Sequence, residues 1–198
     1  MLHNLFCTPV DEIKIENYDF IQSVYDLYVY CENNKLFKDN WMPDNDTTPT
    51  TYKHTENILQ DKKIISSFIE SKCKSYLDSL DVDFSQVKLC NSWYNKQSKN
   101  QIVGLHNHRS ANVTKQISGV YYVKTINDEK QGRITFVSPN PYDEEFPSYS
   151  GDLKYNKVIC FVASQNTMMF FPGTLSHKVS TNKTNEERVV LSFNLEYN

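Results

Sequence analysis

Arg188-Val-Val-Leu-Ser-Phe-Asn-Leu195 decides how the C-terminal half of this chain is read. A strand turns successive side chains to opposite faces. Alternation therefore sends Val189, Leu191, Phe193 and Leu195 to one side, and Arg188, Val190, Ser192 and Asn194 to the other. The first side is wholly apolar and belongs in a core. The second is a mixed face carrying an arginine, which suits a polar pocket. A solvated arginine at a strand start is the plainer alternative. Upstream, short β-rich runs cover residues 87–94, 117–124, 133–137, 157–162, 167–171 and 175–181. Turn formers punctuate them: Asn127-Asp128, Pro139-Asn-Pro141, Gly151-Asp152, Pro172-Gly173 and Asn182-Lys183. Close spacing of so many strands predicts a sandwich, a barrel or a jelly roll.

The N-terminal half has a different period. Ile21, Val24, Tyr25, Tyr28 and Cys31 recur near helical spacing over 18–36. Ile64, Ile65, Phe68, Ile69, Cys73, Tyr76, Leu77 and Leu80 do so over 57–80, with a polar loop at 43–51 between the two runs. Two amphipathic helices need another layer to cover their apolar sides, and the large sheet supplies it. The expectation is one domain over 1–198, with 1–85 as helical support and 86–198 as the β core.

Composition excludes several classes. The 198 residues hold 39% hydrophobic side chains, and 21 Lys+Arg stand against 24 Asp+Glu. That is too apolar for a disordered chain, and the charge of -3 speaks against a polybasic binder of nucleic acid or membrane surface. No stretch approaches the roughly 20 apolar residues of a membrane span. The first residues show no basic-then-apolar leader, so a cytoplasmic protein is expected. Cys7, Cys31, Cys73, Cys90 and Cys160 are scattered and odd in number, which predicts reduced thiols. A homodimer is expected only by base rate.

The chemistry rests on histidines. In Gly104-Leu-His-Asn-His108, an extended backbone would turn both imidazoles to one face, as one strand can present two ligands to a metal. Alone, an exposed His pair reads as well. His177 follows Phe170-Phe-Pro-Gly-Thr-Leu-Ser, and Arg188 lies eleven residues beyond it. A planar guanidinium facing a cavity suits bidentate capture of a carboxylate.

These motifs together resemble the Fe(II)/2-oxoglutarate-dependent oxygenases, most of all small prolyl-hydroxylase-like members from bacteria and bacteriophages. The resemblance is carried by Leu5-Phe-Cys-Thr-Pro9, Trp93-Tyr-Asn95, His106-Asn-His108, Ile117-Ser-Gly-Val-Tyr-Tyr-Val123, Gly132-Arg-Ile-Thr-Phe136, Phe170-Phe-Pro-Gly-Thr-Leu-Ser-His177 and Arg188-Val-Val-Leu-Ser-Phe-Asn194. It implies a mainly β fold with N-terminal helices and a double-stranded β-helix (jelly-roll) core. It implies Fe(II) held by His106, His108 and His177. It also implies 2-oxoglutarate held by Arg188 with Tyr122, and Ser192 beside them. The implied activity is hydroxylation of a substrate C–H with release of succinate and CO2, in a bacterial or phage-infected cell. Either Tyr121 or Tyr122 is expected to do no more than pack.

Four positions depart from the family pattern. His108 replaces a carboxylate, leaving a ferrous site near +2 rather than +1, so metal and dianionic cosubstrate should bind in a coupled way. Arg109 stands where relatives often have proline, Val190 where many have serine, and Asn166 where a glycine is usual; asparagine tolerates a left-handed turn. Two other readings stay open: a three-histidine cupin-type dioxygenase without 2-oxoglutarate, and a non-catalytic metal-binding jelly-roll module. The substrate, small molecule or protein, is not legible. The long acidic segment 138–152 is a solvated excursion or a lid.

Overall fold

Residues 7–39, 47–108, 115–139, 158–162 and 164–198 are described by the computed structural model. Among them run β1 (Asp11–Lys14), α1 (Tyr18–Asn33), α2 (Lys63–Ser79), β2 (Val87–Gln97), β3 (Val103–His106), β4 (Gln116–Lys124), β5 (Ile134–Val137), β6 (Val158–Phe161), β7 (Thr167–Pro172), β8 (His177–Val179) and β9 (Arg188–Tyr197). The strands form two antiparallel sheets, ordered β1-β7-β4-β9-β2 and β3-β8-β5-β6. This is the expected jelly roll with helices against its larger sheet.

Both faces of the large sheet are covered, which is why β4 is buried along nearly its whole length. Its outer face packs on the helices in a cluster that joins Phe20, Val24 and Cys31 of α1 and Ile69, Cys73 and Leu77 of α2 to Tyr121, Val189, Leu191 and Phe193. Phe20 stacks on Phe68 at 4.3 Å and meets Tyr121 edge-on at 5.1 Å. Tyr94 donates to the Val24 carbonyl at 2.8 Å, so a buried hydroxyl ties α1 to β2. The inner face packs on the small sheet through Val120, Tyr122, Phe171 and Val190 against Ile134 and Phe136. The split of β9 into an apolar outer row and a mixed inner row is therefore as its alternation predicts.

The helices differ from their sequence pattern in detail. α1 begins at the Asn17 cap, whose side chain accepts the Phe20 N–H at 2.8 Å. Its buried stripe runs through Phe20, Val24, Leu27, Tyr28 and Cys31, while Tyr25 stays exposed. α2 starts at Lys63 rather than near Asn57. Residues 57–59 are drawn onto β2 instead: Ile58 N–H donates to the Ser92 carbonyl, Leu59 N–H to Ser92 Oγ, and Leu59 is buried. Backbone bonds to an open sheet edge outcompete one more helical turn. The strands β1 and β3, four residues each, carry too short a pattern to be anticipated. Asn166 takes φ 61°, accepts the Tyr121 hydroxyl on Oδ1 and turns the chain into β7.

No described helix is long and apolar enough to cross a membrane. All five cysteines are free thiols. Arg109 and most of the acidic segment 138–152 lie outside the described residues.

Candidate active site

A cavity of about 430 Å³ opens between the two sheets. Its walls come from β9 (Arg188, Val190, Ser192, Asn194), β4 (Gly119, Val120), and the short strands that carry His106 and His177. β3 and β8 pair so that His106 stands directly opposite His177. β3 ends at His106, yet His108 still reaches the group because its N–H is held by the Gly173 carbonyl at 2.8 Å. The ligand-capable atoms of His106, His108 and His177 all lie within 4.8 Å of one another. Imidazole nitrogens bind such a cation at about 2.1 Å, so they can stand up to about 4.2 Å apart around one ion, a spacing close to that of this group.

Two of the three rings are oriented by backbone. His106 Nδ1 lies 2.8 Å from the Gly104 carbonyl, and His177 Nδ1 lies 2.9 Å from the Leu175 carbonyl. A carbonyl only accepts, so both rings carry their proton on Nδ1 and leave the Nε2 lone pair free. Burial, with the neighbouring histidines, pushes His108 down to about 3. Burial, with His106, pushes His177 down to about 4, against a backbone hydrogen bond that pulls the other way. Both are neutral at pH 7, the form a metal needs. Phe171 packs edge-on to His177 at 4.9 Å and fixes its plane. Three imidazoles are a donor set that suits iron.

Arg188, the first residue of β9, lines the cavity and is 2% exposed. Its guanidinium lies 5.1 Å from the Tyr122 ring centre, and its Nε is buried without a hydrogen-bond partner. Among the described residues the ion pairs involve Lys96, Lys124 and Arg133, and none includes Arg188. Burial lowers its pKa, and Tyr122 opposes that shift. A buried cation with no anion beside it is costly, and a ligand carboxylate would relieve that cost. Tyr122 turns inward, its hydroxyl directed at Met169 Sδ at 3.5 Å, whereas Tyr121 faces the helices. Ser192 lines the cavity and accepts from Asn95 Nδ2 at 3.2 Å. Val190 adds an apolar wall.

Sequence reasoning put Asn194 on the mixed face of β9 and Trp93 and Asn95 in a family motif without a specific role, and did not reach Tyr52; all four line the cavity. Trp93 packs 5.6 Å from His108 and 5.2 Å from Tyr52. The two-residue period of β2 puts Trp93 and Asn95 on one face, a usable signal; the arrival of Tyr52 has none in its own sequence.

The sequence model of the 2OG-Fe(II) oxygenase family matches residues 91–194, just over half of the chain. The chain belongs to that family. This oxygenase is a 2-oxoglutarate-dependent non-haem iron enzyme, with Fe(II) and 2-oxoglutarate as its cofactors. Solved structures share its fold at low identity. The alpha ketoglutarate dependent carbocyclase SnoK from nogalamycin biosynthesis is 8% identical with a TM-score of 0.70, covering 96% of this chain and 80% of that one. HygX from Streptomyces hygroscopicus, solved with nickel and 2-oxoglutarate, is 12% identical with a TM-score of 0.63, covering 96% and 83%. A Pseudomonas putida prolyl-4-hydroxylase is 8% identical with a TM-score of 0.64, covering 96% and 92%. None of the curated proteins matches the oxygenase by sequence.

Proposed function

We propose that this oxygenase hydroxylates a substrate C–H bond, with His106, His108 and His177 as the iron ligands and Arg188 as the anchor of 2-oxoglutarate. The observation that carries this reading is the pairing, in one cavity, of three convergent imidazoles with a buried guanidinium that has no carboxylate partner among the described residues. Iron bound there supplies dioxygen activation, so that substrate C–H, 2-oxoglutarate and O2 become C–OH, succinate and CO2. The chain supplies orientation and dryness. His106 and His177, held through Nδ1–H by backbone carbonyls, present Nε2 without further ordering. Arg188 grips the distal carboxylate in a bidentate fork, and the Tyr122 ring packs against that guanidinium from outside the cavity lining. Ser192 lends a hydroxyl on the same strand face. Val120, Val190 and Phe171 exclude water from the inner wall. The domain reading of 1–198 as one unit is supported by the continuous buried cluster that links both helices to the large sheet.

The substrate meets the mouth of the cavity, where Trp93, Tyr52 and Asn95 stand. Its volume suits a small molecule or a single side chain. The test is succinate formation by anaerobically loaded protein. Succinate should appear only with both Fe(II) and 2-oxoglutarate, and His177→Ala should lower it at least 100-fold. Oxygen uptake that proceeds without 2-oxoglutarate would support the cupin-type alternative instead.

A further inference from the structure

His106 and His177 each lean on a backbone carbonyl, whereas the Nδ1 of His108 meets a side chain, Asn194 Nδ2, at 3.4 Å. Asn194 Oδ1 in turn accepts the Ser118 hydroxyl at 2.8 Å. Ser118 and Asn194 are directly opposed in the β4–β9 register and are both buried, at 1% and 6% exposure. The pair is therefore held by the sheet, with Asn194 at the cavity wall and Ser118 behind it.

Resting on the three-histidine reading above, we propose that Asn194, clamped by Ser118, is a positioning residue that sets the tautomer of His108 and so decides whether it serves as third metal ligand. With Nδ2 toward the ring, the amide donates to Nδ1 and leaves the ring proton on Nε2. In that form His108 has no lone pair for a cation. Turned by 180°, the amide offers Oδ1 to an Nδ1–H, and Nδ2 donates to Ser118 Oγ, which accepts as readily as it donates. Nε2 is then free. The heavy atoms keep their places in both states, so the sheet tolerates either. Two ligands are fixed by backbone and the third is conditional on one side-chain amide.

Asn194→Asp can only accept and therefore locks the ligand form of His108, while Asn194→Leu can do neither. The experiment titrates the metal-free full chain with Co(II), followed by visible absorption, and records histidine-ring 15N spectra of the Zn(II)-loaded protein. Asn194→Asp should bind Co(II) at least as tightly as the wild type with the same absorption bands. Asn194→Leu should bind about 10- to 100-fold more weakly, with bands shifted to those of His108→Ala. The loaded wild type should show His108 protonated at Nδ1. Wild-type affinity and bands in Asn194→Leu, equal weakening in both variants, or an Nε2-protonated His108 in the loaded wild type would each overturn the proposal. Should Asn194→Leu fail to fold, Asn194→Asp and the ring spectra still decide. His177→Ala separates the two levels: undiminished Co(II) binding there sinks the three-histidine reading itself. Lost binding there, with Asn194→Leu unaffected, sinks only the role of Asn194.

Discussion

Arg188 is the largest fully buried side chain among the described residues, and no carboxylate there pairs with it. Its burial opposes folding unless a ligand supplies the anion. Arg188→Met should therefore leave the thermal midpoint of the ligand-free protein unchanged or raise it, while weakening 2-oxoglutarate about 10- to 100-fold, the equivalent of the 1.5–3 kcal/mol of charged hydrogen bonds. Calorimetric titration and a thermal melt check both halves; a lowered midpoint contradicts the account. The histidines set the acid limit. With folded values near 3 for His108 and near 4 for His177, against 6.5 unfolded, the unfolded chain takes up protons that the folded one refuses. Stability should be flat above pH 7 and fall on acidification between about 6.5 and 4, by about 1.4 kcal/mol per pH unit for each histidine. Urea midpoints of the metal-free protein at pH 8, 7, 6 and 5 measure this, and a midpoint steady down to pH 5 speaks against buried neutral imidazoles.

At the level of the element, β4 shows how closely the site and the core are joined. Gly119 stands opposite Phe193 of β9 and Phe170 of β7. A Cβ there would run into the Phe193 ring and come within 2.7 Å of the Met169 carbonyl. The carbonyl belongs to a paired strand and cannot retreat. Gly119→Ala should cost about 1–3 kcal/mol, read as a drop in urea midpoint, and should also lower cosubstrate affinity because the cavity wall moves. A neutral substitution would mean the sheet yields at this position. The parity of β9 was legible because alternation is a property of the backbone alone: Val189, Leu191 and Phe193 are core, and Arg188, Ser192 and Asn194 face the cavity. The start of α2 was not, because Leu59 and Ser92 lie 33 residues apart and their contact outweighs local helical periodicity. Asn166 could be read in advance, since asparagine accepts the positive φ its turn requires.

For the whole molecule, the proposed site predicts that charge couples its two cofactors. Three imidazole ligands would leave a divalent ion uncompensated, and the dianionic cosubstrate would neutralise it while also meeting Arg188. 2-Oxoglutarate at about 100 times its dissociation constant should stabilise the metal-loaded protein by about 2.7 kcal/mol, a shift on the order of 5–10 °C. The metal-free protein should shift by less than half as much; equal shifts in anaerobic melts with and without Ni(II) would show the sites to be independent. Composition and period determined the β-rich class and the helical support, because each is a local property of covalent spacing, and motif order singled out His106, His177 and Arg188 as the candidates proposed above. Only the folded chain decided that Tyr122 and not Tyr121 faces the arginine, that His108 leans on Asn194, and that Trp93 and Tyr52 share the mouth. Those contacts depend on strand register and on loops closing across the sheets, and register is fixed by the packing of the whole core rather than by any one segment.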